Sequence, residues 1–355
     1  MIEKDIRKIM YMDNGYLNVK GIVHLCKENG ITILSLVGAR GTGKTFNGLD
    51  YVLSEGIKFL YMRRTQTQAE TVFTPALSPF NPLNKKKGYN IVPGKITKYI
   101  SGWYKGEQKD GKNTPSGDPL GYTCALSTSY NIRSIDGSDI DFMFYDEFIP
   151  EKREKLLRDE AGALWNTYET FNRNRELEGE PPLFLMMASN SNTLDNPILI
   201  NLGLVKIAEG MKKKGRPVYI DIKKRLCLIV FSDSPISEKK AGTALYEATK
   251  GTKFYGMAID NEFSLEDNVT IKSMPLIEFR PIVATEKFVV YKHKSNNNYY
   301  ICGKLTGLID KYYDTDIDKV AFRRKYSYLV DRYYNKNIIF ESYEYKLWLT
   351  EYLGI

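Results

Sequence analysis

The stretch Gly38-Ala39-Arg40-Gly41-Thr42-Gly43-Lys44-Thr45 decides the fold, because it matches the phosphate-binding loop pattern G-x-x-x-x-G-K-[ST] at every position. Its glycines let backbone N–H groups curl around phosphate oxygens without a Cβ in the way. The pattern predicts that Lys44 reaches the β- and γ-phosphates of ATP and that the Thr45 hydroxyl holds Mg²⁺. With Phe46, these residues form the predicted nucleotide-binding site.

The neighbouring segments have the character that such a loop requires. Ile31–Val37 predicts a buried strand directly before it, and Thr45–Leu53 predicts the helix that follows. The positive N-terminal end of that helix would point at the same anion. Near-continuous apolar runs indicate an α/β fold with a mainly parallel sheet covered on both faces. The other predicted strands are Lys58–Arg63, Tyr122–Thr128, Ile140–Tyr145, Leu183–Ala188 and Leu226–Phe231.

A second motif, Phe142-Met143-Phe144-Tyr145-Asp146-Glu147, is typical of a buried strand that ends in two acids. Asp146 is predicted to be the acidic partner of Mg²⁺, and Glu147 to polarise water for attack on the γ-phosphate. The alternative is a strand that ends in two solvated acids. The long separation from the phosphate loop leaves room for another strand, Tyr122–Thr128, between the two motif strands. This pattern indicates a P-loop NTPase of the additional-strand, catalytic-glutamate type.

Three further residues are weaker candidates. Arg173 follows the predicted helix Glu151–Phe171, and an arginine there can stabilise γ-phosphate charge across a subunit boundary. A solvated helix end fits the same pattern. Asn190 follows the strand Leu183–Ala188, where an amide can sense the γ-phosphate, but a plain Ser–Asn turn fits equally. Arg133 is, on its own, a surface residue.

Composition bounds the class of protein. The chain has 355 residues, enough for about two domains. Lys and Arg number 51 against 43 Asp and Glu, a net charge of +8, which suits a polyanionic partner or an ordinary enzyme. Four scattered cysteines and two histidines disfavour a zinc or His-based metal site. With no signal peptide and no long apolar run, we expect a soluble cytosolic protein without a membrane partner.

The rest of the chain suggests its domain organisation. A change of character after Phe231 predicts a P-loop ATPase domain at 1–232, a linker at 233–267 and a small α+β domain at 268–355. Two basic runs are candidates for contacts with duplex phosphates, although lysine runs are usually just solvated. These runs are Lys85, Lys86 and Lys87, and Lys212, Lys213 and Lys214.

Taken in order, the motifs resemble the DNA-packaging ATPases of small tailed phages of the φ29 type. The likeness rests on the phosphate loop, Tyr61-Met62-Arg63-Arg64, Phe142–Ile149, Arg173-Asn174-Arg175-Glu176, and Ser189-Asn190 with Asn196-Pro197. It covers the N-terminal two thirds well. It implies a homo-oligomeric ring, of five subunits, at the portal of an empty procapsid, which hydrolyses ATP to drive double-stranded DNA inside. In part of the family a structural packaging RNA links motor and portal.

The resemblance also implies roles for individual residues. Asp146 and Glu147 match the Mg²⁺-binding and catalytic acids, Arg173 a finger acting in trans, Arg133 a second basic residue acting in trans, and Asn190 the coupling position. It places the protein in the host cytoplasm, docked transiently at the portal vertex and absent from the mature virion.

For the C-terminal domain, the resemblance implies a ribonuclease-H-like nuclease that has lost its metal-binding acids and grips DNA. The sequence fits, since the predicted strand Phe288–Tyr291 continues into Lys292-His293-Lys294 without a carboxylate. A residual metal site stays open, because four aspartates occur in a later loop. They are Asp310, Asp314, Asp316 and Asp318.

Three other functions compete with this one. An active terminase that also cuts DNA would need a clustered trio of acids in the C-terminal domain. A helicase or recombination-type ATPase would need loops that stack single-stranded bases. A nucleotide-switched binding module has little need for the water-polarising carboxylate of Glu147.

Overall fold

The computed structural model describes residues 2–109, 112–133, 135–151, 154, 157, 159–190, 196–231, 234–252, 255 and 270–355. The chain forms two compact units. The first comprises Met1–Asn192 and Gly210–Glu262, and the second comprises Thr193–Glu209 and Phe263–Ile355. Of the predicted linker, residues 234–252 and 255 are described, and they belong to the first unit; the remaining linker residues lie outside the described part.

A nine-stranded sheet organises the first unit. Its strands are β1 (Ile33–Gly38), β2 (Phe59–Arg63), β3 (Ile91–Lys95), β4 (Ser101–Lys109), β5 (Lys112–Ala125), β6 (Phe142–Asp146), β7 (Phe184–Asn190), β8 (Val218–Asp221) and β9 (Leu226–Phe231). Their order is β3-β4-β5-β2-β6-β7-β1-β9-β8. All neighbours from β5 to β9 in this order pair in parallel, whereas β3, β4 and β8 are added by antiparallel pairing. The fold is therefore mixed α/β with a large, mainly parallel sheet.

Within the described part of residues 2–252, the helices are α1 (Ile2–Ile9), α2 (Val19–Glu28), α3 (Lys44–Ser54), α4 (Gln66–Phe73), α5 (Asn81–Lys87), α6 (Glu160–Asn172), α7 (Pro197–Asn201), α8 (Val205–Lys213), α9 (Pro235–Ala241) and α10 (Ala244–Ala248). Of these, α7 and the start of α8 belong to the second unit. Short 3-10 turns occur at Pro75–Leu77, Leu126–Ile132 and Arg175–Glu178. The helix after the phosphate loop packs closely on the sheet, because a Cβ at Gly48 would come within 2.6 Å of Met186 Cε.

The predicted strands are present, but one prediction about their order is wrong. A strand does lie between the two motif strands β1 and β6, and it is β7, not Tyr122–Thr128. The latter segment is the end of β5, beyond β2, followed by the 3-10 turn Leu126–Ile132. The register fits β7 between its neighbours, since Ala188 pairs with both Leu36 and Asp146.

Helix α6 is shorter than predicted. It starts at Glu160 rather than Glu151, because the Asp159 side chain caps its N-terminus by accepting a 3.1 Å hydrogen bond from the Gly162 N–H. The stretch 78–121 also differs, since no strand is predicted there from the sequence. It contains β3, β4 and the first part of β5, which extend the sheet.

The second unit is built on a five-stranded sheet of order β13-β10-β11-β12-β14. The strands are β10 (Phe279–Thr285), β11 (Val289–His293), β12 (Tyr299–Cys302), β13 (Lys311–Tyr312) and β14 (Ile338–Phe340). Strands β10, β11 and β12 pair antiparallel, and β13 and β14 add in parallel at the two edges. The predicted strand Phe288–Tyr291 lies largely in β11, which forms an antiparallel hairpin with β12. Three helices follow β13, with β14 between the last two. These helices are α11 (Asp316–Lys325), α12 (Tyr328–Tyr334) and α13 (Tyr343–Leu353).

Aromatic rings fill the core of this unit. The Phe322 ring lies 5.3 Å from that of Tyr352 and 6.0 Å from that of Phe288, both edge to face. The tyrosines of the C-terminal tail therefore contribute to packing. All four cysteines of the chain are buried free thiols. Within the described ranges, no helix is both long and apolar enough to cross a membrane.

Candidate nucleotide-binding site

The predicted site residues meet where the parallel strands end. Gly38, the last residue of β1, pairs with Asn190 on one side and Phe231 on the other. Asp146 ends β6, which is the next strand beyond β7. The carboxyl ends of parallel strands are where open α/β sheets bind ligands. A cavity of about 750 Å³ lies at this edge, and Gly43, Lys44, Thr45, Glu147 and Asn190 are among its lining residues.

The phosphate loop closes around its own lysine. Lys44 Nζ donates hydrogen bonds to the carbonyl oxygens of Gly38 at 2.9 Å and Ala39 at 2.7 Å. Burial lowers the pKa of Lys44 to about 7, an effect that the nearby Asp146 carboxylate opposes. Gly43 has a φ of +90°, a conformation that favours glycine. An amine held by carbonyl oxygens in a glycine-rich loop is suited to receive phosphate oxygens in their place.

The acid of the second motif lies against the loop. The Thr45 hydroxyl donates a 2.8 Å hydrogen bond to Asp146 Oδ2, and the Tyr61 hydroxyl donates another of 2.8 Å to the same atom. Asp146 is buried, and burial raises its pKa, although Arg63 and these hydroxyls act in the opposite direction. A hydroxyl and a carboxylate this close match the hard oxygen ligands that Mg²⁺ prefers. The donor set therefore fits the metal that the motif implies.

Arg63 stands between the two acids. Its guanidinium lies 3.5 Å from Asp146 Oδ2 and forms an ion pair with Glu147. Glu147 has a φ of +54°, rare for a residue with a side chain, and its N–H donates a 3.1 Å hydrogen bond to Asp146 Oδ1. The carboxylate of Glu147 is half exposed and lines the cavity. It is therefore available to a water molecule once Arg63 releases it.

The predicted coupling residue is also in place. Asn190 Oδ1 accepts a 3.4 Å hydrogen bond from Lys44 Nζ and lines the cavity. The neighbouring Ser189 hydroxyl accepts a 3.2 Å hydrogen bond from the N–H of Ile149, three residues beyond Asp146. The end of β7 is thus joined both to the phosphate loop and to the segment after β6.

One wall of the cavity is formed by residues that belong to no sequence motif. Met12, Asn14 and Tyr16 line it, and the segment that carries them is fixed to the phosphate loop. The N–H of Leu17 donates a 3.0 Å hydrogen bond to the carbonyl of Thr42, and Asn47 Nδ2 donates one of 2.8 Å to the carbonyl of Leu17. This segment precedes the loop without any motif of its own, so no pattern could reveal it.

Charged side chains complete the surroundings of the loop. Lys240, on α9, donates a 2.7 Å hydrogen bond from Nζ to the carbonyl of Arg40. Arg40 in turn forms an ion pair with Glu151, another lining residue. Lys240 lies in the segment predicted as a linker. The structure therefore brings part of that segment into contact with the phosphate loop.

The basic runs are placed differently from each other. Lys86 and Lys87 line the cavity, whereas the adjacent Lys85 is exposed and is absent from its lining. The second run is exposed at the C-terminal end of α8 and the turn that follows. It comprises Lys212, Lys213 and Lys214.

Arg173 and Arg133 do not line the cavity. Arg173 directly follows α6, has a φ of +47°, and donates a 2.8 Å hydrogen bond to the carbonyl of Ile135. Asn172, beside it, accepts a 2.8 Å hydrogen bond from the N–H of Leu183, which precedes β7. Arg173 thus lies near the amino ends of the strands, at the opposite edge of the sheet from the phosphate loop. Arg133 is only two residues before Ile135 in sequence, and it therefore lies near the same edge of the sheet as Arg173.

The other arginine of that turn has a structural role. Arg175 is largely buried, and its guanidinium contacts Asp141 Oδ1 at 2.9 Å and the carbonyl of Ile140 at 2.8 Å. Arg64 is similarly enclosed. Its Nε donates a 2.6 Å hydrogen bond to Glu160, and the two residues are only 1% and 0% exposed. These arginines fix α6 and its flanking turn to the sheet.

Three of the four aspartates predicted in a later loop of the C-terminal unit have a cationic or backbone partner. Asp318 accepts a 2.8 Å hydrogen bond from the N–H of Tyr313. Asp314 forms ion pairs of 2.8 Å with both Lys287 and Lys319, and Asp310 forms one of 3.1 Å with Lys325. Across the part of the chain that the structure describes, no group of three or more His, Cys, Asp or Glu is arranged to hold a metal ion.

Known proteins resemble this chain over most of its length. A DNA packaging protein of Bacillus phage B103 is 26% identical over 253 residues, which cover 67% of this chain and 66% of that relative's length. Among solved structures, the Phi-28 gp11 DNA packaging motor matches with a TM-score of 0.59 at 19% identity, covering 92% of this chain and 95% of that one. The bacteriophage Phi-29 viral genome packaging motor assembly matches with a TM-score of 0.60 at 19% identity, covering 90% and 94%.

At this level of identity, the two solved structures establish the shared fold. Membership of a family rests on a separate match. The model of the podovirus DNA encapsidation protein (Gp16) family matches residues 110–318, more than half of the chain, and this range includes Asp146, Glu147, Arg173 and Asn190. The chain therefore belongs to the podovirus DNA encapsidation protein (Gp16) family.

Proposed function

We propose that this chain is the ATPase of a phage DNA-packaging motor, which hydrolyses ATP to move double-stranded DNA into a procapsid. One observation carries the proposal: Lys44, Thr45, Glu147 and Asn190 line a single cavity at the carboxyl edge of the sheet, and the buried Asp146 accepts a hydrogen bond from Thr45. A phosphate-binding loop, an oxygen pair for a metal and a separate carboxylate are the parts that nucleotide hydrolysis needs. Family membership supplies the link to DNA packaging.

Thr45 and Asp146 would hold Mg²⁺ in this site. The bound metal would neutralise phosphate charge that develops during transfer. Lys44 would exchange its contacts with the carbonyls of Gly38 and Ala39 for phosphate oxygens. Burial lowers the pKa of the free Lys44, and the negative phosphate oxygens would favour its charged form where water is largely excluded.

Glu147 would accept the proton of the attacking water. The ion pair with Arg63 holds its carboxylate aside and must open for this role. The additional-strand, catalytic-glutamate class is supported by β7, which lies between the two motif strands, and by the Asp146-Glu147 order. Asn190, which reaches Lys44 from β7, is suited to couple the state of the phosphates to the rest of the sheet.

Arg173 would act on the site of a neighbouring subunit. Helix α6 has 13 residues and so spans about 20 Å, from Arg64 near the nucleotide edge to Arg173 near the other edge. Arg173 is thus too far from its own phosphate loop to serve it. Its exposed guanidinium and positive φ suit a finger presented to another copy, with Arg133 beside it. A ring, of five subunits, provides such a neighbour.

The finer assignments extend the same proposal. The domains are 1–232, 233–267 and 268–355, and the last is a vestigial ribonuclease-H-like domain that grips DNA without cutting it. The cation partners of Asp310 and Asp314 support the loss of metal binding.

Besides DNA, the macromolecules that the motor would contact are the portal and, in some relatives, a packaging RNA. The motor acts in the host cytoplasm, docked transiently at the portal and absent from the mature virion. Lys85 and Lys212–Lys214 remain candidates for phosphate contacts.

An ATPase measurement tests the function. We expect Mg²⁺-dependent ATP hydrolysis by the full chain that rises as duplex DNA is added, with a smaller response to single-stranded DNA of the same length. A chain that binds ATP but never hydrolyses it would favour a nucleotide-switched binding module. The same reaction with Mn²⁺ should leave the DNA uncut, whereas cleavage would identify an active terminase.

A further inference from the structure

The cavity extends beyond the groups that the phosphate-loop pattern assigns. Glu147 and Asn190 line it just after β6 and at the end of β7, and Tyr16, Phe46 and Lys86 line it from other segments. The pattern assigns Lys44 to the β- and γ-phosphates, Thr45 to Mg²⁺ and the loop N–H groups to the phosphate chain. The nucleoside, and the part of the α-phosphate that the loop does not cover, must then contact other lining residues.

The side chains of Tyr16, Phe46 and Lys86 have chemistry that suits a nucleoside and a phosphate. Lys86 Nζ lies 5.3 Å from the centre of the Phe46 ring, close enough for a cation–π contact. Tyr16 packs beside the phosphate loop, so that a Cβ added to Gly43 would come within 3.2 Å of its ring. Two aromatic rings and an ammonium group offer flat apolar surface to a base and positive charge to an α-phosphate.

Helix α5, which carries Lys86, is firmly anchored. Lys87 Nζ lies 3.5 Å from Asp50 Oδ2 on α3, and the Tyr89 hydroxyl donates a 2.9 Å hydrogen bond to Asp50 Oδ1. On its other side, Phe80 is buried against the Trp103 ring, at 4.5 Å between ring centres. Lys86 is therefore presented to the cavity by a fixed element, unlike a lysine on a free loop.

We propose that Tyr16, Phe46 and Lys86 form the subsite for the nucleoside and α-phosphate of the triphosphate. Lys86 then serves nucleotide recognition in its own subunit, although its basic run suggested a DNA contact. This inference deepens the proposed function and rests on it. Lys85, one residue away on the same helix but outside the cavity lining, provides a matched control.

Calorimetric titration of the full chain with two Mg²⁺ complexes tests the assignment. ADP occupies the whole subsite, whereas inorganic pyrophosphate fills only the β and γ positions. We expect Lys86→Ala to weaken ADP binding about tenfold, as for loss of one charge-assisted contact, with pyrophosphate binding unchanged. Lys85→Ala should match wild type for both ligands. Tyr16→Ala should weaken ADP binding, and Tyr16→Phe should restore it.

The outcomes separate the two proposals. If wild type binds neither ligand, the ATPase function is wrong, and the subsite with it. If wild type binds both and Lys86→Ala equals Lys85→Ala for ADP, only the subsite is wrong. The subsite is also wrong if Lys86→Ala weakens duplex DNA binding while ADP binding persists.

Discussion

The Thr45 hydroxyl lies 2.8 Å from Asp146 Oδ2, although 101 residues separate the two in sequence. This contact joins the first turn of α3 to the end of β6, so the two oxygen groups that suit Mg²⁺ are already adjacent. Tyr61 supports the same oxygen from β2. The proposed metal site is thus preorganised by three separate segments of the sheet edge.

Replacement of Asp146 should uncouple nucleotide binding from the metal. In Asp146→Asn the carboxylate charge is lost while the shape is kept, so we expect much weaker Mg²⁺ dependence of ATP binding and a fall in hydrolysis of at least 100-fold. A Mg²⁺ titration of ATP affinity measures the first effect. Asp141→Asn, at the exposed start of the same strand, is the control and should keep its Mg²⁺ response. An unchanged response in Asp146→Asn would remove this residue from the metal site.

Glu147→Gln should preserve ATP binding and abolish turnover. An amide cannot accept the proton of the attacking water, and general-base catalysis contributes about 10²–10⁴-fold. The test compares ATP affinity with single-turnover hydrolysis in the presence of duplex DNA. Glu151→Gln alters another carboxylate of the same cavity and should retain most of the rate. Equal rates in Glu147→Gln and wild type would rule out the catalytic assignment.

The role of Arg173 can be tested by mixing two inactive variants. Arg173→Ala subunits retain Glu147, and Glu147→Gln subunits retain Arg173. If Arg173 completes the neighbouring site, mixed rings should regain part of the DNA-stimulated hydrolysis that each variant lacks alone. Mixtures that stay as inactive as their components would place Arg173 outside any shared site. Arg175→Ala, whose guanidinium is tied to Asp141, should instead lower thermal stability.

The buried pair of Arg64 and Glu160 should dominate the stability of α6. Arg64→Met leaves the Glu160 carboxylate enclosed without its partner, which costs about 3–5 kcal/mol of unfolding free energy. The double variant Arg64→Met, Glu160→Leu removes both charges and should recover most of that loss. Urea denaturation monitored by circular dichroism measures both. A double variant as unstable as the single one would show that α6 depends on other contacts of these residues.

Motifs with fixed local geometry were predictable from sequence. The phosphate loop, the Asp146-Glu147 pair and Asn190 each follow an apolar strand, and parallel strands bring their carboxyl ends to one edge. The mainly parallel sheet followed from the same logic, because its strands are near-continuous apolar runs. The wrong choice of intervening strand arose because sheet order depends on long-range packing, which Tyr122–Thr128 and Leu183–Ala188 do not reveal individually.

Contacts between distant segments were not predictable. Neither the residue type nor the flanking sequence of Tyr16 and Lys240 distinguishes them from other tyrosines and lysines of the chain. Both nevertheless lie against the phosphate loop. The basic run Lys85–Lys87 had the composition of a DNA contact, but the helical turn directs two of its lysines to the nucleotide cavity. Strand β4 was missed because much of its length is polar and exposed.

One edge of the large sheet ends in β3, which carries Pro93 and Gly94 at its centre. Proline offers no N–H to a further strand, and both residues are unfavourable in a continued ladder. This edge is consequently protected against indefinite polymerisation through backbone pairing. The protein thereby avoids one common route to insoluble aggregates, and substitution of Pro93 would reopen it.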